Sequence, residues 1–159
     1  MKFYTSVGPN PRVVKMFAVE RGIDLPSETV DLRGGDNRRP PYTDINAFGQ
    51  MPALELDNGE IVTEITAICE YLDETQPGPS LIGSTAEERS QTRRWLRWAD
   101  LNICEPIGHG FRFGEGIDFF RNVFVAFRTP PRVLKRLHKT ILRSSIVNWR
   151  IMNTSQEVK

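Results

Sequence analysis

Gly49-Gln-Met-Pro-Ala-Leu-Glu-Leu56, with Asn58-Gly59 close behind, is the stretch whose reading decides the fold. Ala53 to Leu56 and Glu60 to Val62 are two short strand candidates around Asp57-Asn58-Gly59. Asn-Gly is the strongest short-range hairpin signal, because both residues tolerate the positive φ of the tight turn. Pro52 enters the first strand and cannot donate to a ladder. Taken alone it reads as an edge-strand proline. With a cis Met51–Pro52 bond, the N–H and C=O of Met51 turn outward and can pair with an extended peptide, as an added strand would.

Outward from that hairpin, the pattern is mixed α/β. Lys2 to Ser6 is rich in strand formers and is followed by a turn-forming Gly8-Pro-Asn-Pro11. From Arg12 to Arg21 the apolar positions Val13, Val14, Met16, Phe17 and Val19 predict a helix with one buried face. Gly22 fits its C-terminal stop. Glu28 to Leu32 alternates charged and apolar residues, as a half-buried strand does. Strand, helix, strand implies a right-handed crossover and a parallel pair. Arg33 to Tyr42 is polar, with Gly34-Gly35 and Pro40-Pro41, and reads as a loop. After the hairpin, Glu64 to Glu74 carries Ile65, Ile68, Cys69 and Leu72 at helical spacing. The order is βαβ, hairpin, then a helix packed on the sheet.

Pro77-Gly78-Pro79-Ser80 breaks this pattern and reads as a linker. Ser84 or Thr85 is placed to cap a further helix, with Glu87 and Glu88 in its first turn, where the helix dipole favours acids. That helix is expected to run through Trp95, Leu96, Trp98, Leu101 and Ile103 until Pro106. The expected domains are therefore 1–77 and 84–159.

Two motifs carry a resemblance. Asn46-Ala-Phe-Gly-Gln-Met-Pro-Ala-Leu54 and Val62-Thr-Glu-Ile-Thr-Ala-Ile-Cys-Glu-Tyr-Leu72 resemble the paired signatures of the glutathione transferase family, at the family's spacing. The resemblance covers roughly residues 1–118. It implies a thioredoxin-like α/β N-terminal domain followed by an all-α domain that is incomplete in this chain. Arg94 to Pro106 resembles the first long helix of that second domain.

The resemblance also implies a site for glutathione. The Met51 backbone at Pro52 would hold its cysteinyl part, with Gln50 supporting from the preceding loop. Glu64 would bind the α-ammonium group, and the N–H of Ile65 the γ-glutamyl carboxylate, since a helix N-terminus favours an anion. The family has Ser where this chain has Ile65, so one side-chain donor is lost; a hydrogen bond to a charged group is worth roughly 1.5–3 kcal/mol. Arg39 and Arg12 are candidate compensating cations. The chemical task is to lower the thiol pKa, because the thiolate is the nucleophile. Tyr4, Ser6 and Asn10 are the candidate donors at the first strand–helix turn. Ser6 and Asn10 together are favoured, with Tyr4 read as a packed strand residue and Asn10 also a turn former. Asn102, Glu105, His109 and Arg112, with Phe111 and Phe113, are the expected electrophile pocket. Trp95 and Trp98 are expected to pack a domain interface.

Composition limits the remaining classes. No apolar run approaches the roughly 20 residues that span a bilayer. The N-terminus lacks the apolar run and cleavage site of a secretory signal. Cys69 and Cys104 form no CxxC, which argues against a disulfide scaffold, a zinc site and a dithiol motif. Cys69 is expected to be a core thiol. The expected compartment is the cytoplasm, the expected co-substrate glutathione without a metal, and the expected partners a small hydrophobic electrophile and a second copy of the chain in a homodimer.

The charge balance breaks sharply near Phe120. Residues 1–120 hold 12 Lys/Arg against 19 Asp/Glu, whereas 121–159 hold nine against one. Motif, acids and helix caps vanish together, as a frameshift or truncation would produce. A basic tail for nucleic acid or a membrane surface is the rival reading. No recognised nucleic-acid motif is present there, so specific nucleic-acid binding is not expected. Val133 to Ile146 predicts an amphipathic helix, basic on one face.

Overall fold

The computed structural model describes residues 1–120. The basic segment 121–159, including the helix expected at 133–146, lies outside the described residues. Two compact units are present, Met1–Arg89 and a second beginning at Ser90.

The first unit is built on a four-stranded sheet of order β2-β1-β3-β4, from β1 (Lys2–Thr5), β2 (Ser27–Thr29), β3 (Ala53–Glu55) and β4 (Ile61–Thr63). β1 pairs with β2 in parallel, Tyr4 opposite Glu28, and with β3 antiparallel, Tyr4 opposite Ala53. β3 and β4 form the hairpin closed by Asn58-Gly59, with Ala53 opposite Thr63. The thioredoxin-like α/β arrangement expected from the resemblance is the one observed.

Strand alternation sends successive side chains to opposite faces. Phe3 and Leu54 point to one face, where they join Val14 of α1 (Pro9–Glu20) and Ile68, Cys69 and Leu72 of α3 (Ile65–Thr75) in the larger core. Tyr4 and Ala53 point to the other, where they meet Val30 and Tyr42, the first residue of the short helix α2 (Tyr42–Ile45).

Several elements depart from the sequence expectation. α1 begins at Pro9, so Gly8-Pro-Asn-Pro11 is not a free turn: Pro9 and Pro11 occupy the first helical turn, where a missing N–H costs nothing. Its buried residues are Pro11, Val14 and Ala18, with Phe17 packed at the edge. Val13, Met16 and Val19, expected on the buried face, are exposed. The helix does stop at Gly22, with φ 65°, and the Gly22 and Ile23 amides donate to Val19 and Ala18 in a Schellman closure. β2 starts one residue before the expected strand and is exposed along its length, with burial resuming at Val30. The expected loop 33–42 contains a 3₁₀ turn at Asp36–Arg38 and runs into α2.

Residues 77–83 are strapped to the first unit. Buried Arg21, at the end of α1, donates to the carbonyls of Asp73, Gln76 and Pro79. The Asp73 carboxylate accepts from the Ser80 hydroxyl and from the Leu81 and Ile82 amides. α4 (Ala86–Ala99) then opens on a reciprocal capping box: the Glu88 amide donates to Thr85 Oγ1 at 3.2 Å, and the Ser84 and Thr85 amides donate to Glu88 Oε2 at 2.7 and 3.2 Å.

Pro106 does not end the helical run as expected. A π-helical turn, Asp100–Cys104, carries the chain into α5 (Glu105–Phe113), and Pro106 sits in the first turn of that helix. A short α6 (Ile117–Phe120) follows. Trp95 and Trp98 pack edge-to-face at 6.0 Å, Arg94 stands 4.9 Å over the Trp95 ring, and the two indoles remain 54% and 37% exposed.

Candidate functional site

Sheet register assembles the site. Tyr4, Ala53 and Thr63 lie abreast across β1, β3 and β4. Because β3 runs opposite to both neighbours, one or two residues further toward the same end stand Ser6, Met51–Pro52 and Glu64–Ile65. The N-termini of α1 and α3 begin at that end as well. Three strand ends and two helix starts therefore converge on one edge, although the residues involved lie far apart in the chain.

The Met51–Pro52 bond is cis, as is Pro40–Pro41. Pro52 is buried while Met51 is half-buried, at the head of β3. Glu64 is the N-cap of α3 with φ 70° and ψ 133°, and among the described residues no other non-glycine has positive φ. Such a conformation costs of order 1–3 kcal/mol and persists only where surroundings enforce it. The Glu64 side chain is exposed and makes no hydrogen bond to the described residues. Ile68 N–H bonds back to the Glu64 carbonyl at 3.0 Å, which leaves the Ile65, Thr66 and Ala67 amides without intrahelical partners. The Ile65 side chain packs against the core, so this position presents only its backbone.

The three candidate donors differ in position. Ser6 is half-buried immediately after β1 and makes no side-chain hydrogen bond to the described residues. Asn10 is exposed in the first turn of α1 rather than in a free turn. Tyr4 is 4% exposed on the α2 face of the sheet; its hydroxyl donates to Glu55 Oε2 at 2.7 Å, and Lys2 Nζ stands 4.9 Å from its ring. Burial, then the Glu55 hydrogen bond, hold the Tyr4 hydroxyl above its ordinary pKa. Arg39 is exposed and pairs with Asp36 at 2.5 Å, and Arg12 is exposed on α1.

The loop before Pro52 is held by groups that sequence reasoning assigned no role. The Gln50 side chain is exposed, but its carbonyl accepts from the Tyr42 hydroxyl at 2.6 Å and from Asn46 Nδ2 at 2.9 Å. The carbonyl before it, Gly49, accepts from Asn37 Nδ2 at 2.7 Å. Gly49 has φ 64°, and a Cβ there would lie 2.4 Å from the Asn37 carbonyl, so only glycine fits. Burial pushes the Tyr42 hydroxyl up to about 12, which keeps it a neutral donor. Polar residues falling between predicted elements were the available signal.

The electrophile-pocket candidates all lie in the second unit. Asn102 donates to the Trp98 carbonyl at 2.8 Å from an exposed position. Glu105 and His109 stand 3.0 Å apart at i,i+4, and the His109 ring lies 5.8 Å from that of Phe113. Arg112 is half-buried in the last turn of α5. A cavity of about 140 Å³ lies elsewhere, between α3 and the 80–84 strap, and does not reach the converging strand ends.

Comparison with known proteins bears on the fold and the family. Residues 7–75 match the family described as glutathione S-transferase, N-terminal domain. Glutathione S-transferase 2 of Saccharomyces cerevisiae is 28% identical over 148 residues, 87% of this chain and 64% of its own length. A glutathione S-transferase domain-containing protein of Marinobacter aquaeolei superposes with a TM-score of 0.74 at 28% identity, over 93% of this chain and 72% of its own. Human glutathione transferase theta-2, solved in complex with glutathione, gives 0.68 at 25% identity, over 91% and 58%. The chain spans about half the length of the curated relatives it matches, from 64% of the first to 45% of the second. Residues 7–75 are thus identified as an N-terminal domain of the glutathione S-transferase family.

Proposed function

We propose that the chain binds glutathione at the converging strand ends and activates its thiol for attack on a small hydrophobic electrophile. The observation that carries this reading is Glu64. An exposed carboxylate is held in a left-handed backbone conformation, beside three unpaired amides and level with the head of β3. The carboxylate suits the ammonium of a γ-glutamyl group and the amides suit its carboxylate. The Met51 N–H and C=O suit the cysteinyl peptide unit. The human relative's complex with glutathione is consistent with this ligand.

Ser6 and Asn10 are the thiol-stabilising donors in this reading. Ser6 stands at the strand end, and Asn10 lies in the first turn of α1, whose dipole favours a thiolate. Tyr4 is set aside because its hydroxyl is already donated to Glu55. In this reading the protein acts as a homodimer, and the cytoplasm supplies the reduced tripeptide. A steady-state assay with glutathione and a chloronitrobenzene tests this: Ser6→Ala should lower turnover at least tenfold on the scale of lost donors at such sites, about 10²–10³.

A second reading, a non-catalytic glutathione-binding module, is favoured by Ile65. Its side chain faces the core and offers no hydroxyl. Saturable binding without turnover in the same assay would select it.

A further inference from the structure

We propose that Tyr42 and Asn46 are positioning residues for glutathione: by fixing the Gln50 carbonyl from α2, they set the backbone orientation in which Met51 meets the peptide. This rests on the glutathione-binding reading above.

Tyr42 and Asn46 are 3% and 7% exposed, and the Asn37 that holds the next carbonyl is 4% exposed. Buried polar side chains are costly unless paired, so their placement carries information. Here three of them, from the 3₁₀ turn, the start of α2 and its end, converge on the two successive carbonyls of Gly49 and Gln50. Asn46 is used twice, since its Oδ1 also accepts from the Phe48 amide at 3.1 Å. The peptide plane that includes the Gln50 carbonyl also contains the Met51 amide nitrogen. Holding one end of that plane therefore aims the other, which is the group offered to the ligand. Neither carbonyl belongs to a strand or helix, and among the described residues no other hydrogen bond to them orients that plane.

Both carbonyl lone pairs of Gln50 are occupied, so removing one donor leaves the oxygen satisfied by the other. Tyr42→Phe and Asn46→Ala should therefore loosen orientation more than they unfold the domain. Calorimetric titration of the full chain with reduced glutathione reads the effect. Ser80→Ala, which removes a comparable hydrogen bond in the strap, controls for general destabilisation. Each loop variant is expected to raise Kd about fivefold to tenfold, roughly one hydrogen bond's worth. Ser80→Ala should leave Kd at the wild-type value with a similar loss in thermal midpoint. Where turnover is measurable, KM for glutathione should rise while kcat at saturation is kept. If Tyr42→Phe and Asn46→Ala bind as wild type does, or if Ser80→Ala weakens binding equally, the positioning role is overturned. If the wild-type protein itself fails to bind, the glutathione reading falls, and this inference with it.

Discussion

The Arg21 guanidinium and the Asp73 carboxylate face each other at 3.2 Å between α1 and α3, with side chains 1% and 4% exposed. Arg21 Nε is paired by charge there without a well-aligned hydrogen bond, while the other guanidinium nitrogens donate to three carbonyls. Removing one member of a buried pair strands the other, at about 3–5 kcal/mol. Asp73→Ala should therefore lower unfolding free energy by about that much in a urea titration. It should also speed amide exchange at Leu81 and Ile82, which lose their acceptor.

Stability should fall at both ends of the pH scale, for different groups. Burial alone would raise the Asp73 carboxyl, but the Ser80 hydroxyl, the Leu81 and Ile82 amides and Arg21 outweigh it and hold it below 3.8. Its contribution is present above 3.8 and is lost as pH falls through the lower folded value. Burial, then the Asp73 charge, push the Cys69 thiol from 9.0 up to about 11, and burial pushes Tyr42 from 10.0 up to about 12. The unfolded chain sheds those protons first, so stability declines as pH rises from about 9. Thermal melts of Cys69→Ala should show a shallower decline between pH 9 and 11 than wild type.

Thr85→Ala removes the acceptor for the Glu88 amide and half of the capping box. The expected cost is about 1 kcal/mol, with fraying of the first turn of α4 seen by amide exchange. Glu88→Ala should cost a similar amount, and the double variant less than the sum, because the two caps support each other.

Ile65→Ser should separate binding from stability. A hydroxyl at the start of α3 adds a donor for the γ-glutamyl carboxylate, tightening glutathione binding about tenfold. Loss of a half-buried core contact should cost about 1–3 kcal/mol in the same protein. Calorimetry and a thermal melt on one preparation check both.

The fold was legible wherever one local rule dominated. Asn58-Gly59 located the hairpin, Gly22 the end of α1, and the spacing of Ile68, Cys69 and Leu72 the inner face of α3. Illegible parts were those set by tertiary competition. Val13, Met16 and Val19 are as apolar as Val14 and Ala18, and only packing against α3 chooses between them. Pro106 is a breaker by rule, yet the π-helical turn ahead of it places it where a first-turn proline is tolerated. The same division holds for the candidate site. Met51, Pro52, Glu64 and Ile65 stand in motifs, whereas Tyr42 and Asn37 acquire their role only when α2 and the 3₁₀ turn fold over the Gly49–Gln50 carbonyls.

Calorimetric titration of the full chain with reduced glutathione, with Glu64→Gln alongside, decides whether the converging strand ends bind the tripeptide. Saturable binding at one site per chain is expected in the micromolar to millimolar range, weakened in Glu64→Gln by loss of the ammonium partner. No binding heat from a wild-type protein that melts cooperatively would contradict it, leaving the thioredoxin-like fold without the ligand assigned to its strand ends.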